Sequence, residues 1–339
     1  MTKPLVAITM GDPAGIGPEI IVGAWSNRAV HDCCRPLVVG HPEMLRRAAR
    51  LLKSRVEIVP VDDVEHAQPS PERIACLASG SDDVLEISPG RVDARGGQAA
   101  YDALVCAARL ALAGQVDAVV TAPLHKAALW QAGHQYPGHT ELLAELCGVD
   151  DFAMMLYLAG GDVHGPAGLA VVHVTLHMAL ADMFAALSED AILRKTRLVA
   201  GVMQQLTGAR PRIGVCALNP HAGEEGLFGN EERLIIRPAV ERARAERLDV
   251  EGPLPADTLL GRACRGEFDA VVAMYHDQGH IAIKLLSMHR AVNVTLGLPI
   301  VRTSVAHGTA MDLAWQGRAE TSGMVEAIRV ASRLSAAKT

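Results

Sequence analysis

Three histidines stand directly after short apolar runs: His177 in HVTLHMAL, His221 in LNPHAGEEG and His276 in MYHDQGH. Each is flanked by small or turn-forming residues. Three imidazoles meeting in one cleft would leave open positions on a divalent cation, which is the arrangement of catalytic rather than structural metal sites. Zinc suits such ligands, and imidazole also takes manganese, cobalt or nickel. The chain holds 14 histidines, however, and intervals this wide do not by themselves show convergence. His276 and His280 lie four apart, as in the zinc-protease helix HExxH. The residue after the first histidine is Asp277, one methylene short of that motif's glutamate, and Gly279 weakens a helix there. A protease is excluded on that ground. Asp277 reads instead as a carboxylate orienting a neighbouring ligand, or as an ordinary turn cap.

Three more groups could touch an anion: Lys284, eight residues past His276, then Asn293 and Arg302 at intervals of nine. Arg offers a planar fork to carboxylate or phosphate and Lys a point charge. Together they suit a small doubly anionic substrate; singly, each would be a solvated surface residue. The run GDPAGIGPE, residues 11–19, places Gly11, Asp12 and Gly15 where backbone can approach a ligand closely. Pro18 suits the first turn of a helix whose N-terminus favours an anion. The same composition also serves a plain strand-to-helix turn. Neither GxGxxG nor GxxxxGK[ST] occurs in the chain. In RTSVAHGTAMDLAWQG, residues 302–317, the turn His307-Gly308-Thr309 suits an adenosine moiety, or simply a helix N-cap.

These residues need a scaffold, and the hydrophobic pattern supplies one. Strands are expected over Leu5–Thr9, Leu37–Val39, Val56–Val61, Ala118–Thr121, Ala153–Leu158, Leu169–Val174, Ile213–Ala217 and Ala270–Met274, several of them apolar throughout, as strands buried on both faces are. Helices are expected over Glu43–Lys53, Gln98–Ala113, Glu141–Leu146, Ala191–Leu206, Glu231–Glu246 and Ser322–Ser335. This alternation predicts an α/β fold with a mainly parallel sheet, whose ligands collect at strand C-terminal ends. Glu65–Arg95, rich in prolines and acids, reads as loop. No internal repeat or low-complexity tract appears.

With 339 residues, 50% hydrophobic and 21% charged, the chain has the composition of a soluble protein large enough for two lobes. A net charge of −6 makes nucleic acid and anionic membrane poor partners. No apolar run approaches the roughly 20 residues of a membrane span, and the N-terminus turns polar too early for a signal peptide. Seven cysteines without a CxxC pair suit buried thiols in a reducing cytoplasm. Aromatics at 3% make base- or sugar-stacking platforms improbable.

Taken together, MGDPAGIGPE, TAPLHK (121–126), PGHTE (137–141), VTLH (174–177), NPHAGE (219–224), YHDQG (275–279) and AVNVTLGLPIVRTS (291–304) resemble the 4-hydroxythreonine-4-phosphate dehydrogenase family of vitamin B6 synthesis, nearly end to end and in order. The glycine loop and HGTA turn are similar to those of the wider isocitrate and isopropylmalate dehydrogenase superfamily, which binds its dinucleotide without GxGxxG. The resemblance implies a two-lobed α/β/α subunit, one lobe formed by 1–125 plus 305–339 and the other by 126–304. It implies a homodimer whose interlobe active site is completed by the partner. It implies metal ligands at His177, His221 and His276, for zinc or for magnesium, manganese or cobalt, and substrate contacts at His139, Thr140, Lys284, Asn293 and Arg302. Asp257 and Asp277 match supporting acids, and the catalytic set comprises His139, Lys284, Asp277 and Asp257. NAD or NADP would lie on Gly11, Asp12, Gly15, His307, Gly308 and Thr309. The substrate would be a 4-phosphorylated four-carbon hydroxy acid, oxidised at C3 and decarboxylated. Family members usually carry Asp where this chain has Ala306 and often Gly where it has Trp315. The run HDQGHIAIKLL, with His280, looks more like a branch that oxidises 4-phosphorylated threonate or erythronate. A metal-dependent hydrolase or aldolase using the same histidines, and a non-catalytic ligand sensor, are the alternatives from other classes.

Overall fold

The computed structural model describes residues 3–161 and 163–337. Among them twelve strands follow in chain order: β1 (Leu5–Thr9), β2 (Arg35–Gly40), β3 (Glu57–Val61), β4 (Arg73–Ala78), β5 (Ala118–Thr121), β6 (Ala153–Leu158), β7 (Leu169–His173), β8 (Arg212–Cys216), β9 (Asp249–Leu254), β10 (Ala270–Ala273), β11 (Val292–Leu296) and β12 (Arg302–Val305). Strands β5, β6, β7 and β10, apolar at nearly every position, are buried throughout, as strands covered on both faces are.

The chain divides into two compact units, Met1–Asp150 with Leu298–Thr339, and Asp151–Gly297. The expected division at 125/126 and 304/305 is displaced. Leu142 and Leu143 share an apolar core with Ala103, Leu104 and Val119, and Arg302–Ser304 pair with β5, so both stretches join the first unit. The first unit orders its strands β3-β4-β2-β1-β5-β12 with parallel pairing. The proline-rich segment expected to be loop contains β4. Pro69, Pro71 and Pro89 flank the run RIACLA rather than interrupt it, and Ile74, Ala75 and Cys76 are buried.

Across from β4 in sequence, the Ala94–Leu112 helix starts on the Asp93 side chain, which accepts the Arg95 N–H. A carboxylate at this end satisfies a backbone donor left without an intrahelical acceptor. A Cβ on Gly97 would come within 2.1 Å of the Ala128 carbonyl oxygen, so the helix can approach Lys126–Gln131 only because that residue has no side chain.

The second unit orders its strands β11-β6-β7-β10-β8-β9. β7, β10, β8 and β9 run parallel, while β6 is antiparallel to both β11 and β7. That reversal departs from the mainly parallel expectation only locally. The connection 159–168 is too short to hold the crossover that parallel neighbours need.

Candidate functional site

In the second unit, the three histidines singled out from sequence follow adjacent parallel strands: His177 lies past β7, His276 past β10 and His221 past β8. Two of them come together. The rings of His177 and His276 have centroids 6.0 Å apart. His276 opens the His276–Ser287 helix, and its Nδ1 lies 2.6 Å from the Asp277 carboxylate. Gly279, read from sequence as weakening a helix here, lies inside this one. It lets the helix press onto β7, where a Cβ would meet Val171 and come within 2.5 Å of His173 Nε2.

The pressed contact brings in two more imidazoles, His280, read from sequence only beside a rejected protease motif and a branch resemblance, and His173, which the sequence reading did not single out. His280 stacks on His276 at 3.7 Å and 12°, and its Nδ1 lies 3.1 Å from His173 Nε2. His173 is fully buried at the end of β7. Burial pushes its imidazole down to about 4, against the opposing pull of the Met154 carbonyl. Burial lowers His280 as well, and the neighbouring His173, His276 and Lys284 deepen the shift. Both rings are therefore neutral near pH 7. A titratable ring closing the all-apolar run LAVVH was the available signal for His173. Lys284 sits one turn past His280 on the same helix. Across the unit, Asn293 on β11 directs Nδ2 at Met154 Sδ, 3.1 Å away, and its buried Oδ1 has no hydrogen-bond partner.

His221 stands elsewhere. Its loop turns left-handed, with positive φ at His221, Ala222, Gly223, Glu224 and Glu225. Non-glycine residues hold that conformation at a cost of about 1–2 kcal/mol each. The loop base is held by buried Glu232, which accepts the N–H groups of Leu218 at 2.8 Å and Asn219 at 2.7 Å. His221 lines a cavity of about 470 Å³ with Glu232, Arg233 and Arg237. Among the described residues no group of three or more His, Cys, Asp or Glu side chains is gathered to hold a metal ion. In kind the imidazole set suits a divalent cation; in place, two of its members are adjacent and the third is apart. Asp257 is exposed at the start of the Ala256–Cys264 helix, where it accepts the Thr258 N–H, and it joins no histidine.

The first unit assembles the other residues into two groups. Arg302, buried on β12, donates from Nη2 to Thr121 Oγ1 at 2.6 Å. Burial pushes its guanidinium down to about 10, with Glu141 pulling the other way. His139 and buried Thr140 open the His139–Cys147 helix. Burial, then the Arg302 charge, holds the His139 imidazole well below its usual value, against a backbone hydrogen bond with Ala122. His139 is thus neutral near pH 7, beside a buried cation.

The second group joins the glycine loop to the HGTA turn. Gly11 adopts φ +70, and any Cβ would strike Pro123 O at 2.3 Å. Gly15 packs on Thr309, whose carbonyl accepts the Ile16 N–H at 3.1 Å. His307 Nδ1 lies 3.0 Å from Gly308 O. Trp315 ties the same two segments: its indole donates to Pro13 O at 2.9 Å and its N–H to Glu19. Asp12 is fully buried in this loop. One oxygen accepts Ala14 N–H at 2.9 Å and the other has no partner. Burial pushes its carboxyl up to about 6, opposed by the Ala14 bond and helped by Asp93.

Comparison with known proteins gives these groups a setting. A model of the pyridoxal phosphate biosynthetic protein PdxA matches residues 32–331. The 4-hydroxythreonine-4-phosphate dehydrogenase of Trichlorobacter lovleyi is 46% identical over 340 residues, 99% of each chain. The D-threonate 4-phosphate dehydrogenase of Cupriavidus necator is 45% identical, covering 98% of this chain and 97% of its own. A crystal structure of the 4-hydroxythreonine-4-phosphate dehydrogenase of Klebsiella pneumoniae superposes with a TM-score of 0.86 at 42% identity, covering 98% of this chain and 100% of that one. On full-length likeness in both sequence and fold, the chain belongs to the PdxA family.

Proposed function

We propose that the chain is a nicotinamide-dependent dehydrogenase that oxidises the C3 hydroxyl of 4-hydroxythreonine 4-phosphate, with loss of the carboxyl group as CO2. The observation that carries this reading is likeness over essentially the whole chain to dehydrogenases of 4-phosphorylated four-carbon acids. Residues within each unit suit it: Arg302 in the first and Lys284 in the second carry the kind of charge that phosphate and carboxylate need, and the open acceptor of Asn293 suits a substrate hydroxyl or ammonium. In this reading His139, neutral and beside Arg302, or Lys284 would accept the C3 hydroxyl proton as hydride leaves for the nicotinamide. The joined loops at Gly11, Asp12, Gly15 and His307-Gly308-Thr309 offer backbone groups to the coenzyme, NAD or NADP.

The reading includes a divalent cation held by His177, His221 and His276, with Asp277 orienting His276. When bound, such an ion supplies Lewis acidity to an oxygen substrate. It also includes a homodimer. Most of the exposed large hydrophobic side chains among the described residues lie in the second unit, among them Leu180, Phe184, Ile281, Leu285, Leu286 and Met288. Monomers rarely leave so much apolar surface uncovered. Among the described residues no helix is long and apolar enough to cross a membrane.

A second substrate, D-threonate 4-phosphate, is favoured by one observation: the ring of His280, stacked on His276, belongs to the run HDQGHIAIKLL that resembles the threonate branch. The test is an absorbance assay of both acids with NAD and with NADP, before and after chelator treatment. NAD(P)H formation with one acid, lost in chelator and restored by Mn2+ or Zn2+, is the expected outcome. Turnover of neither acid would end the substrate reading, and full activity in chelator would end the metal reading.

A further inference from the structure

Within the first unit, the Lys126–Gln131 helix ends at Ala132, and Gly133, at φ +92, turns the chain out of it. Residues 133–138 then lead into the His139–Cys147 helix, whose first two residues are His139 and Thr140. A surface turn that holds Gly133, Pro137 and Gly138 is mobile unless something ties it down. His134 ties it to the Ala94–Leu112 helix. Its ring lies on that of Tyr101, with centroids 3.6 Å apart and planes within 5° of parallel. Its Nε2 lies 3.0 Å from Gln98 Oε1, and Gln98 Nε2 donates to Asp102 at 2.8 Å. A carboxylate accepts and does not donate, so Asp102 turns the Gln98 oxygen toward the ring, and the His134 tautomer carries its proton on Nε2. The far end of the turn is tied as well. Tyr136 donates its hydroxyl to Glu145 on the His139–Cys147 helix at 2.8 Å, and its carbonyl accepts the Trp130 indole N–H at 3.1 Å.

We propose that His134, stacked on Tyr101 and bonded to Gln98, is a positioning residue: it fixes the turn that delivers His139 and Thr140, and so sets how efficiently the site takes its phosphorylated substrate. The inference rests on the substrate reading above. His139 follows His134 by only five residues, so a turn that swings at His134 carries the start of the next helix with it. The flat stack resists tilting of the turn, and the Gln98 bond resists sliding of the ring across Tyr101; neither contact replaces the other. Misplacement of reacting groups by about 1 Å costs on the order of 100-fold where catalysis depends on positioning.

The experiment uses the full chain. Rates with 4-hydroxythreonine 4-phosphate and with D-threonate 4-phosphate are followed by NAD(P)H absorbance, and coenzyme dissociation constants and melting temperatures are measured in parallel. His134→Ala and Tyr101→Leu are each expected to lower kcat/KM for the acid about 10- to 100-fold with coenzyme affinity unchanged. Tyr101→Phe, which keeps the ring, is expected to restore the wild-type value. A lower melting temperature with kcat/KM intact, or coenzyme binding weakened as much as kcat/KM, would make the stack merely structural and overturn the proposal. Should His134→Ala fail to fold, Tyr101→Leu against Tyr101→Phe decides by the same measure. His139→Asn and Thr140→Ala separate the two readings. If the wild type oxidises neither acid, or both of these variants take the acid as the wild type does, the substrate reading fails at this helix and the inference with it. If they are impaired while His134→Ala and Tyr101→Leu are not, this inference alone fails.

Discussion

Asp12 carries a carboxyl that water does not reach, with one oxygen lacking a partner. Its folded-state value of about 6, against an ordinary 3.8, sets the sign of its effect on stability. Between those values the folded protein holds a proton that the unfolded chain has released, so stability falls as pH rises through the window, and above it the penalty is complete. A shift of this size corresponds to about 3 kcal/mol at most. Asp12→Asn is therefore expected to raise the melting temperature at pH 8, with the gain shrinking toward pH 4; an equal gain at both pH values would refute the account. Among single residues, the ones legible in sequence were those whose type is costly in its surroundings: glycines after a strand, a histidine after an apolar run. From sequence, His280 stood out as half of a rejected protease motif and as part of a run resembling the threonate branch. Its role as a ring stacked on His276 depends on a helix face that a one-dimensional spacing does not orient. Trp315 read as a departure in the nucleotide segment, and the structure gives its indole a docking point on the Pro13 carbonyl.

Elements were legible where burial dictates composition. β1, β5 and β6 run over the residues expected, because strands covered on both faces have little choice but aliphatic side chains. β9, β11 and β12 were not foreseen: DVEGPL, VNVTL and RTSV mix polar groups into short runs, and two of them carry the candidate contacts Asn293 and Arg302. A glycine inside a helix carried a second meaning. Gly279 read as a residue that weakens a helix, yet Gly279 and Gly97 each mark a place where a helix touches backbone or a histidine ring. Gly97→Ala gains helix propensity of about 1 kcal/mol but drives a methyl into the Ala128 carbonyl. Overpacking costs about 1–3 kcal/mol, so net destabilisation is expected in urea unfolding, and a more stable variant would show that the two helices can separate freely.

For the whole molecule, the length and composition anticipated two units, and the pattern anticipated their α/β architecture. The boundary was not legible, since no linker of distinctive composition marks it and Leu142 and Leu143 reveal their core only in three dimensions. Self-association belongs to this scale. Leu285 is 82% exposed on the helix that carries His276, which is a poor position for a leucine facing water and a good one for a leucine facing a second copy. If the proposed homodimer forms through this face, Leu285→Glu is expected to reduce the mass in solution from twice 35.9 kDa to a single chain in light scattering, with little change in the fold. A variant that stays at the double mass would move the interface elsewhere.

The second unit is threaded into the first as a closed excursion. Its last residue, Gly297, lies so close to its first that a Cβ there would come within 2.3 Å of the Asp151 carbonyl oxygen. The first unit, by contrast, is stitched from both ends of the polypeptide, and β5 gains its outer neighbour only from residues 302–304. On the ribosome, the 147 residues from Asp151 to Gly297 emerge before that neighbour does. The amino-terminal half must therefore wait with a bare sheet margin, the sort of edge that invites mispairing, while the excursion can shut on itself at once.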